Sequence, residues 1–250
     1  MRDTIRLAAL AAGKIMLENY EKEFSVSQKT PKDRVTAVDI ACEKKIISMI
    51  QKKFPKHTII SEERGTIDRK SSFTWYIDPI DGTTNYSRGI PLAGVSIALV
   101  KDRKPVLGAI CDPFRDELFF AEKGKGAFLN SKRMHVSRIN TLKDAIVDFD
   151  FRNEDIETRM RISRNLLTAC YGTRKISTQA LGLAYLACGR IDGYLHPLTS
   201  PHDFAAGWLI VEEAGGKASD FQGKPLPLKK TSILATNGLL HDKLLDLIRA

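Results

Sequence analysis

Apolar residues recur at helical spacing in the first part of the chain. Residues 3–20 and 37–54 each carry apolar side chains three or four positions apart with charged residues between them, which predicts two amphipathic helices. The segment between them, SQKTPKDRVTAVD, is polar and contains a proline. We therefore interpret this segment as a loop.

Short apolar runs with strand character follow. They are rich in β-branched and aromatic residues and occupy residues 58–60, 73–77, 92–100, 106–111, 117–121 and 127–129. The turn sequence KDRKP and a later turn with Gly124 and Gly126 separate successive runs. These short connections predict an antiparallel sheet with the two helices laid against it.

The pattern changes near residue 144. Predicted strands at residues 145–149, 191–195 and 232–236 now alternate with predicted helices at residues 155–170, 181–188, 203–214 and 239–249. Such alternation is typical of an α/β unit. The predicted fold class is α+β, with an α+β subdomain at residues 1–143 and a mixed α/β subdomain at residues 144–250. Because no linker rich in Gly, Pro or Ser separates the two, we expect them to pack tightly.

Charge and cysteine content indicate the kind of partner and the cellular compartment but do not identify a function. Lys and Arg number 39 against 30 Asp and Glu, a net charge of +9, but the basic residues are scattered. This charge favours an anionic partner, from a phosphate ester to RNA. The 4 cysteines are far apart and form no CxxC pair, which is typical of a reduced, cytoplasmic protein. No run approaches the ~18 apolar residues of a membrane span.

The stretch WYIDPIDGTTNY places two carboxylates directly after an apolar strand. Asp78 and Asp81 would repel each other there unless a cation lies between them or one of them is protonated. Oxygen ligands suit Mg²⁺, and the backbone N–H groups that follow at Gly82 and Thr83 suit a phosphate if a helix starts at this point. The alternative is that Asp81 only caps a short helix.

Two further places combine a predicted element with acids. Glu62 and Glu63 follow a short strand, and Asp203 opens the apolar helix FAAGWLIVEEAGG. Taken separately, the first pair fits a surface loop and Asp203 fits a helix cap. Taken together with Asp78 and Asp81, acids at the ends of three separated elements are what a multi-metal phosphoryl site requires.

Other catalytic templates are missing from the sequence. It contains no GxGxxG, Walker A or GxSxG motif, which disfavours nucleotide-dependent hydride transfer, P-loop chemistry and serine hydrolysis. His202 and Asp203 form an HD dipeptide, but 5 histidines are too few for a histidine-rich metal site. We expect His57 and His241, which stand in polar surroundings, at the surface.

Three motifs together resemble a known family. ISEE at residues 60–63, DPIDGTTN at residues 78–85, and DFAAG followed by EAGG at residues 203–216 are similar, in order and spacing, to the inositol monophosphatase family. That family belongs to the Mg²⁺-dependent, lithium-sensitive sugar phosphatases, which include fructose-1,6-bisphosphatase. The resemblance implies a layered αβαβα fold, a homodimer, and two to three Mg²⁺ ions, for which Mn²⁺ can substitute.

The resemblance also implies residue roles. Glu62, Asp78 and the Ile80 carbonyl would hold one metal ion, and Asp78, Asp81 and Asp203 a second, with a weaker third ion near Glu62. In the implied mechanism a metal-activated water attacks the phosphate in line, without a phosphoenzyme.

The remaining catalytic roles are implied in the same way. Glu62 and Thr83 would orient that water, Asp81 completes the catalytic set, and the N–H groups of Gly82 and Thr83 would receive the phosphate.

The substrate is left open by departures from the family pattern. His202 stands where the family usually carries Trp, and His196 stands where the inositol enzymes carry Glu, a change that favours a more anionic substrate. The residues that align with the substrate-contacting segment are Arg174, Ser177, Thr178 and Gln179, with Lys29 near a family lysine that approaches the phosphate. Arg174 is either a receptor for a second phosphate or a surface or dimer-interface residue.

Several functions remain open at this point. The leading hypothesis is a phosphomonoesterase acting on inositol 1-phosphate or fructose 1,6-bisphosphate. The alternatives are a 3′-phosphoadenosine 5′-phosphate or histidinol phosphate phosphatase and, from another class, a transcription-complex or RNA-binding partner that retains the phosphatase fold.

Overall fold

The computed structural model describes residues 1–22, 26–30, 33–150 and 156–250, with only the backbone described at 26–30 and 33–35. The helices are α1 Arg2–Asn19, α2 Ala37–Lys53, α3 Thr83–Tyr86, α4 Ile156–Ala169, α5 Gln179–Ala187, α6 Pro201–Glu213 and α7 His241–Arg249. The strands are β1 Val26–Thr30, β2 Asp33–Thr36, β3 Thr58–Ser61, β4 Gly65–Ile67, β5 Phe73–Asp81, β6 Gly94–Lys101, β7 Lys104–Asp112, β8 Glu117–Glu122, β9 Gly126–Leu129, β10 Lys132–Arg133, β11 Ile146–Phe149, β12 Gly172–Arg174, β13 Gly193–Thr199, β14 Lys217–Ser219 and β15 Thr231–Thr236.

Two sheets organise these strands. The first has eight strands in the order β10-β9-β8-β7-β6-β5-β3-β4, antiparallel except for the β3 and β5 pair. The second has five strands in the order β12-β11-β13-β15-β14, in which β11 runs parallel to both its neighbours. The parallel neighbours β11 and β12 are connected through α4, whereas short connections join the antiparallel strands β6, β7, β8 and β9 in chain order.

Helices cover the sheets in layers. Helices α1 and α2 pack on one face of the first sheet, where Ile46 of α2 shares a core with Trp75 of β5. Helices α5 and α6 lie between the sheets, because Phe204 of α6 shares a core with both Phe119 and Ile233. Helices α4 and α7 cover the outer face of the second sheet. The layered αβαβα arrangement expected from the family resemblance is therefore confirmed.

A bulge in β5 shapes its acidic end. Asp78 pairs with Ser96 of β6, and Asp81 pairs with Gly94, so three steps along β5 oppose two steps along β6. In a regular strand, residues three apart point to opposite faces of the sheet. The extra residue lets Asp78 and Asp81 face the same side.

Some short elements differ from the sequence predictions. Most of the segment interpreted as a loop belongs to the antiparallel strands β1 and β2, and β5 continues to Asp81 instead of ending at residue 77. The short elements β4, β10, β12, β14 and α3 were not predicted, because few residues carry their signal. The predicted helix at residues 155–170 is found as α4, although residue 155 lies outside the described residues.

His241 is buried, so the expectation of a surface position is wrong. Its two ring nitrogens lie within hydrogen-bond distance of the hydroxyls of Ser219 and Thr236. Burial lowers the pKa of His241 to about 4, with the positive charge of Lys217 acting in the same direction.

Across the described ranges, no helix has the length and apolar character needed to span a bilayer.

Candidate metal centre and substrate pocket

Four acids from three segments of the chain meet at one end of the first sheet. Asp78 and Asp81 close β5, Asp203 lies in the first turn of α6, and Glu62 follows β3. Burial raises the pKa of Asp78 well above its usual range, and the negative charges of the other three acids raise it further. Burial and the charge of Asp203 likewise raise the pKa of Asp81 to about 7. These four side chains therefore form one electrostatic cluster.

Helix N-termini orient two of these carboxylates. Asp81 Oδ2 accepts hydrogen bonds from the Thr178 hydroxyl and from the Ala180 N–H at the start of α5, each at 2.5 Å. Asp203 Oδ2 accepts from the Ser200 N–H at 3.0 Å and from Gln179 Nε2 at 3.1 Å. The positive ends of the two helices thus offset part of the repulsion between the acids.

These contacts decide the capping alternatives. The N-cap of α3 is Gly82, and Asp81 bonds to α5 instead, so Asp81 does not cap the helix that follows it. Asp203 does cap α6 through Ser200, but it also belongs to the acidic cluster. Capping engages Oδ2, whereas Oδ1 lies 3.2 Å from His202 Nε2.

The chemistry of the cluster fits a hard divalent cation. Among the described residues, no group of three His, Cys, Asp or Glu side chains has the arrangement needed to hold a metal ion. The donors are nevertheless all oxygens, as Mg²⁺ prefers. Buried carboxylates that raise one another's pKa are also the groups that a cation would stabilise most.

Asp39 is a site residue that our sequence interpretation missed. It lies in the first turn of α2 and is fully buried. Its Oδ1 accepts a hydrogen bond from the Thr83 hydroxyl at 3.0 Å, while Oδ2 accepts from the N–H and hydroxyl of Thr36. Burial raises the pKa of Asp39, and the bonds from Thr36 and Thr83 oppose that rise. Its sequence signal was the capping box T-x-x-D of Thr36 and Asp39.

Glu43, one turn further along α2, supports the turn that carries Glu62. Glu43 is buried, and its Oε1 accepts hydrogen bonds from the N–H groups of Glu63 and Arg64, both at 3.0 Å. Helix α2 therefore presents two carboxylates on one face, because residues four apart in a helix are neighbours. One bonds to Thr83 and the other holds the backbone beside Glu62.

The turn after β5 brings its backbone close to neighbouring segments. Gly82 has a φ of +92°, and a Cβ at this position would lie 2.9 Å from the Leu92 carbonyl oxygen. Only glycine fits both the left-handed conformation and the close approach. Thr83 follows at the first position of α3, where its N–H has no partner within the helix.

A narrow pocket adjoins the acidic cluster on the side of α5. The residues that line it are Asp148, Asp150, Ser177, Thr178, Gln179, Tyr194 and His196. Thr178 and Gln179 connect it to the cluster, since they donate to Asp81 and Asp203. The pocket and the acidic cluster are therefore neighbours that share Thr178 and Gln179.

The structure tests the location of the predicted substrate residues. Ser177, Thr178, Gln179 and His196 line the pocket, and their role in binding a substrate stays a prediction. Arg174 does not line it; its side chain is exposed and Nη1 donates to the Thr173 carbonyl.

Other pocket residues were missed or cannot be placed. Asp148, Asp150 and Tyr194 were missed, because nothing local in the sequence marks the face of a strand that a distant helix will cover. Lys29 lies in β1, and its side chain is outside the described part of the chain.

The fold and site define a layered αβαβα protein in which four acids converge at one end of the first sheet. Comparison with family models matches the inositol monophosphatase family over residues 1–250, and the chain belongs to this family. It is 41% identical to the Nus factor SuhB of Escherichia coli (strain K12) over 236 residues, which covers 92% of this chain and 88% of the relative.

Two further relatives agree with this assignment. The chain is 35% identical to the fructose-1,6-bisphosphatase/inositol-1-monophosphatase of Aquifex aeolicus (strain VF5) over 252 residues, covering 99% of this chain and 94% of the relative. The crystal structure of the extragenic suppressor protein suhB from Bartonella henselae superposes with a TM-score of 0.96 at 37% identity, covering 99% of this chain and 97% of that one.

Proposed function

We propose that the protein is a Mg²⁺-dependent phosphomonoesterase that hydrolyses a small sugar or polyol phosphate. The observation that carries this proposal is the cluster of Glu62, Asp78, Asp81 and Asp203. Its ligand atoms are all oxygens, and its negative charges repel one another. Membership of the inositol monophosphatase family and the similarity to a fructose-1,6-bisphosphatase/inositol-1-monophosphatase support it.

The chain would hold the metal ions through these four carboxylates and the carbonyl of Ile80. When bound, Mg²⁺ supplies charge that polarises the phosphate and lowers the pKa of a coordinated water. Beside this centre, the Thr83 hydroxyl lies between Asp39 Oδ1 at 3.0 Å and the Ile80 carbonyl at 2.9 Å. With its proton directed to Asp39, Thr83 would present lone pairs that can orient a water, and Glu62 would take the proton of that water.

The phosphate itself would meet backbone donors. The N–H groups of Gly82 and Thr83 open α3, and the glycine lets the chain approach the ester closely. A larger residue at position 82 would require both strained backbone and displacement of the Leu92 carbonyl.

The test is Asp81→Asn, which removes one charge from the cluster while keeping its shape. We expect Mg²⁺-dependent release of phosphate from inositol 1-phosphate to fall by at least about 10²-fold with the circular dichroism spectrum unchanged. Asp242→Asn, at an exposed carboxylate on α7, is the matched control. Wild-type turnover in Asp81→Asn would show that the site is assigned wrongly.

A second candidate function is binding to a transcription complex or RNA, which the name Nus factor SuhB of several relatives favours. The net charge of +9 is compatible with RNA contact. The same Asp81→Asn variant separates the two roles, since binding to a transcription complex or to RNA would survive the loss of turnover.

A further inference from the structure

The pocket beside the metal centre is itself acidic. Asp148 and Asp150 lie on β11 and just after it, and both are buried, at 2% and 6% exposure. The buried Tyr194 lines the same pocket, and burial, followed by the charges of Asp148, Asp81, Asp203 and Asp150, raises the pKa of its hydroxyl. The acids of the pocket are therefore close to the reaction centre but separate from its ligand cluster.

Two described groups next to the pocket face these carboxyls. Lys175 Nζ lies 3.5 Å from Asp150 Oδ1, and its side chain is half exposed. Asp148 Oδ1 accepts from the Ile176 N–H at 3.0 Å, a neutral donor. His196 lines the same pocket, and the exposed Arg174 lies outside it. Among the described residues that line the pocket, the carboxyl groups thus outnumber the basic groups.

The pocket also holds an unused acceptor. Gln179 donates through Nε2 to Asp203, which fixes the amide so that Oε1 is the free end. Gln179 Oε1 is buried and has no hydrogen-bond partner among the described residues. Because a buried acceptor without a partner costs free energy, a ligand that brings a donor to this atom gains affinity.

We propose that this pocket selects a leaving group that is rich in hydrogen-bond donors and carries no second phosphate, with a protonated amine as the best match. The proposal rests on the proposed phosphatase function and specifies its substrate class. It replaces the expectation of a more anionic substrate, which the His196 change had suggested before Asp148 and Asp150 were placed beside it.

Electrostatics supports this selection. Burial raises the pKa of Asp148 to about 7, and the negative charge of Asp150 acts in the same direction. A second phosphate in the pocket would add further negative charge beside both carboxyls, whereas an ammonium or hydroxyl donor would stabilise their ionised forms. Helix α5 holds this arrangement closely, since a Cβ on Gly182 would lie 2.8 Å from Asp148 Oδ2.

Two matched substrate pairs test the proposal with wild-type protein at saturating Mg²⁺. Fructose 1-phosphate and fructose 1,6-bisphosphate differ by a remote phosphate, and glucose 6-phosphate and glucosamine 6-phosphate differ by a hydroxyl and an amine. We expect kcat/KM to be at least about tenfold higher for the monophosphate of the first pair and several-fold higher for the amine of the second. Equal or faster hydrolysis of the bisphosphate overturns the proposal but leaves the phosphatase function intact.

Variants assign the selectivity to the pocket. Asp150→Asn removes a charge with little change of shape and should narrow the monophosphate preference by several-fold, while Asp242→Asn should not change it. Gln179→Ala, which removes the free acceptor, should raise KM for the monophosphates more than it lowers kcat. An unchanged monophosphate preference in Asp150→Asn together with an unchanged KM in Gln179→Ala overturns the proposal. If folded wild-type protein with Mg²⁺ hydrolyses neither these four esters nor inositol 1-phosphate, the proposed function itself is wrong and this inference falls with it.

Discussion

The hydroxyl of Thr83 lies 3.0 Å from Oδ1 of Asp39, a residue 44 positions earlier in the chain. Asp39 is anchored by the capping box of α2, and Thr83 is anchored by the turn that ends β5. The contact therefore joins the first helical layer to the acidic edge of the sheet. The hydroxyl has one proton and two acceptors, Asp39 Oδ1 and the Ile80 carbonyl at 2.9 Å, and donation to Asp39 is the arrangement that would orient a water.

Thr83 and Asp39 should act as one unit in turnover. We expect Thr83→Val, which keeps the shape but removes the hydroxyl, to lower kcat by about 10²–10³-fold, because a positioned proton acceptor contributes on that scale. Thr83→Ser keeps the hydroxyl and should stay within about tenfold of wild type. Asp39→Asn should also lower kcat, and the double variant should lose no more than the worse single variant. Multiplicative losses in steady-state kinetics would show independent roles.

Glu43 should affect metal affinity without touching the metal. Glu43→Ala removes the acceptor for two N–H groups beside Glu62, so the turn loses its anchor. We expect the Mg²⁺ concentration for half-maximal activity to rise by about 10–100-fold, as for other supports of metal ligands. Glu43→Gln retains an acceptor oxygen and should show a smaller rise. Identical Mg²⁺ titrations for Glu43→Ala and wild type would contradict this role.

His241 should make stability depend on pH on the acid side of neutrality. Its folded pKa is about 4, below the ordinary 6.5, so between these values the unfolded chain binds a proton that the folded protein does not. The folding stability that depends on neutral His241 is present above about pH 6.5 and is lost as pH falls towards 4. We expect about 1–2 kcal/mol of unfolding free energy to be lost between pH 7 and pH 5 from this residue. Urea unfolding of His241→Gln, which can still hydrogen-bond to Thr236, should show a correspondingly weaker pH dependence.

Gly108 should be intolerant of a methyl group. A Cβ on this β7 residue would lie 2.7 Å from the Ala206 carbonyl oxygen and 3.2 Å from its Cα, so α6 would have to move. We expect Gly108→Ala to destabilise the protein by about 1–3 kcal/mol in urea unfolding, the usual cost of overpacking. Because α6 carries Asp203, the Mg²⁺ requirement should rise as well. Gly172→Ala is the control, since its Cβ would meet only the flexible end of Arg174.

The sequence predicted the acids of the centre well. Glu62, Asp78, Asp81 and Asp203 each adjoin an apolar element whose type is set by local periodicity, and the ends of such elements are where side chains can converge. Their roles as metal ligands remain predictions. What the sequence did not show was the bulge between Asp78 and Asp81, which depends on pairing with a strand still to come.

The supporting residues could not be found in the same way. Asp39, Glu43 and Asp148 are single acids on elements that look like ordinary amphipathic helices or strands. Their partners lie far away in the chain, as in the bond between Asp148 and Ile176 over 28 positions. A pattern of local spacing contains no information about which distant backbone group a side chain will meet.

The sequence by itself determined most helices and strands, the order of the acidic motifs and the family that they resemble, because backbone propensity and apolar periodicity act over a few residues. Tertiary structure decided which atoms meet: it placed α5 between the sheets, turned Thr178 towards Asp81 across 97 positions, and put Asp148 and Asp150 in the pocket in place of Arg174. The physical reason is that these contacts arise only when separate layers pack, and packing depends on the whole chain at once.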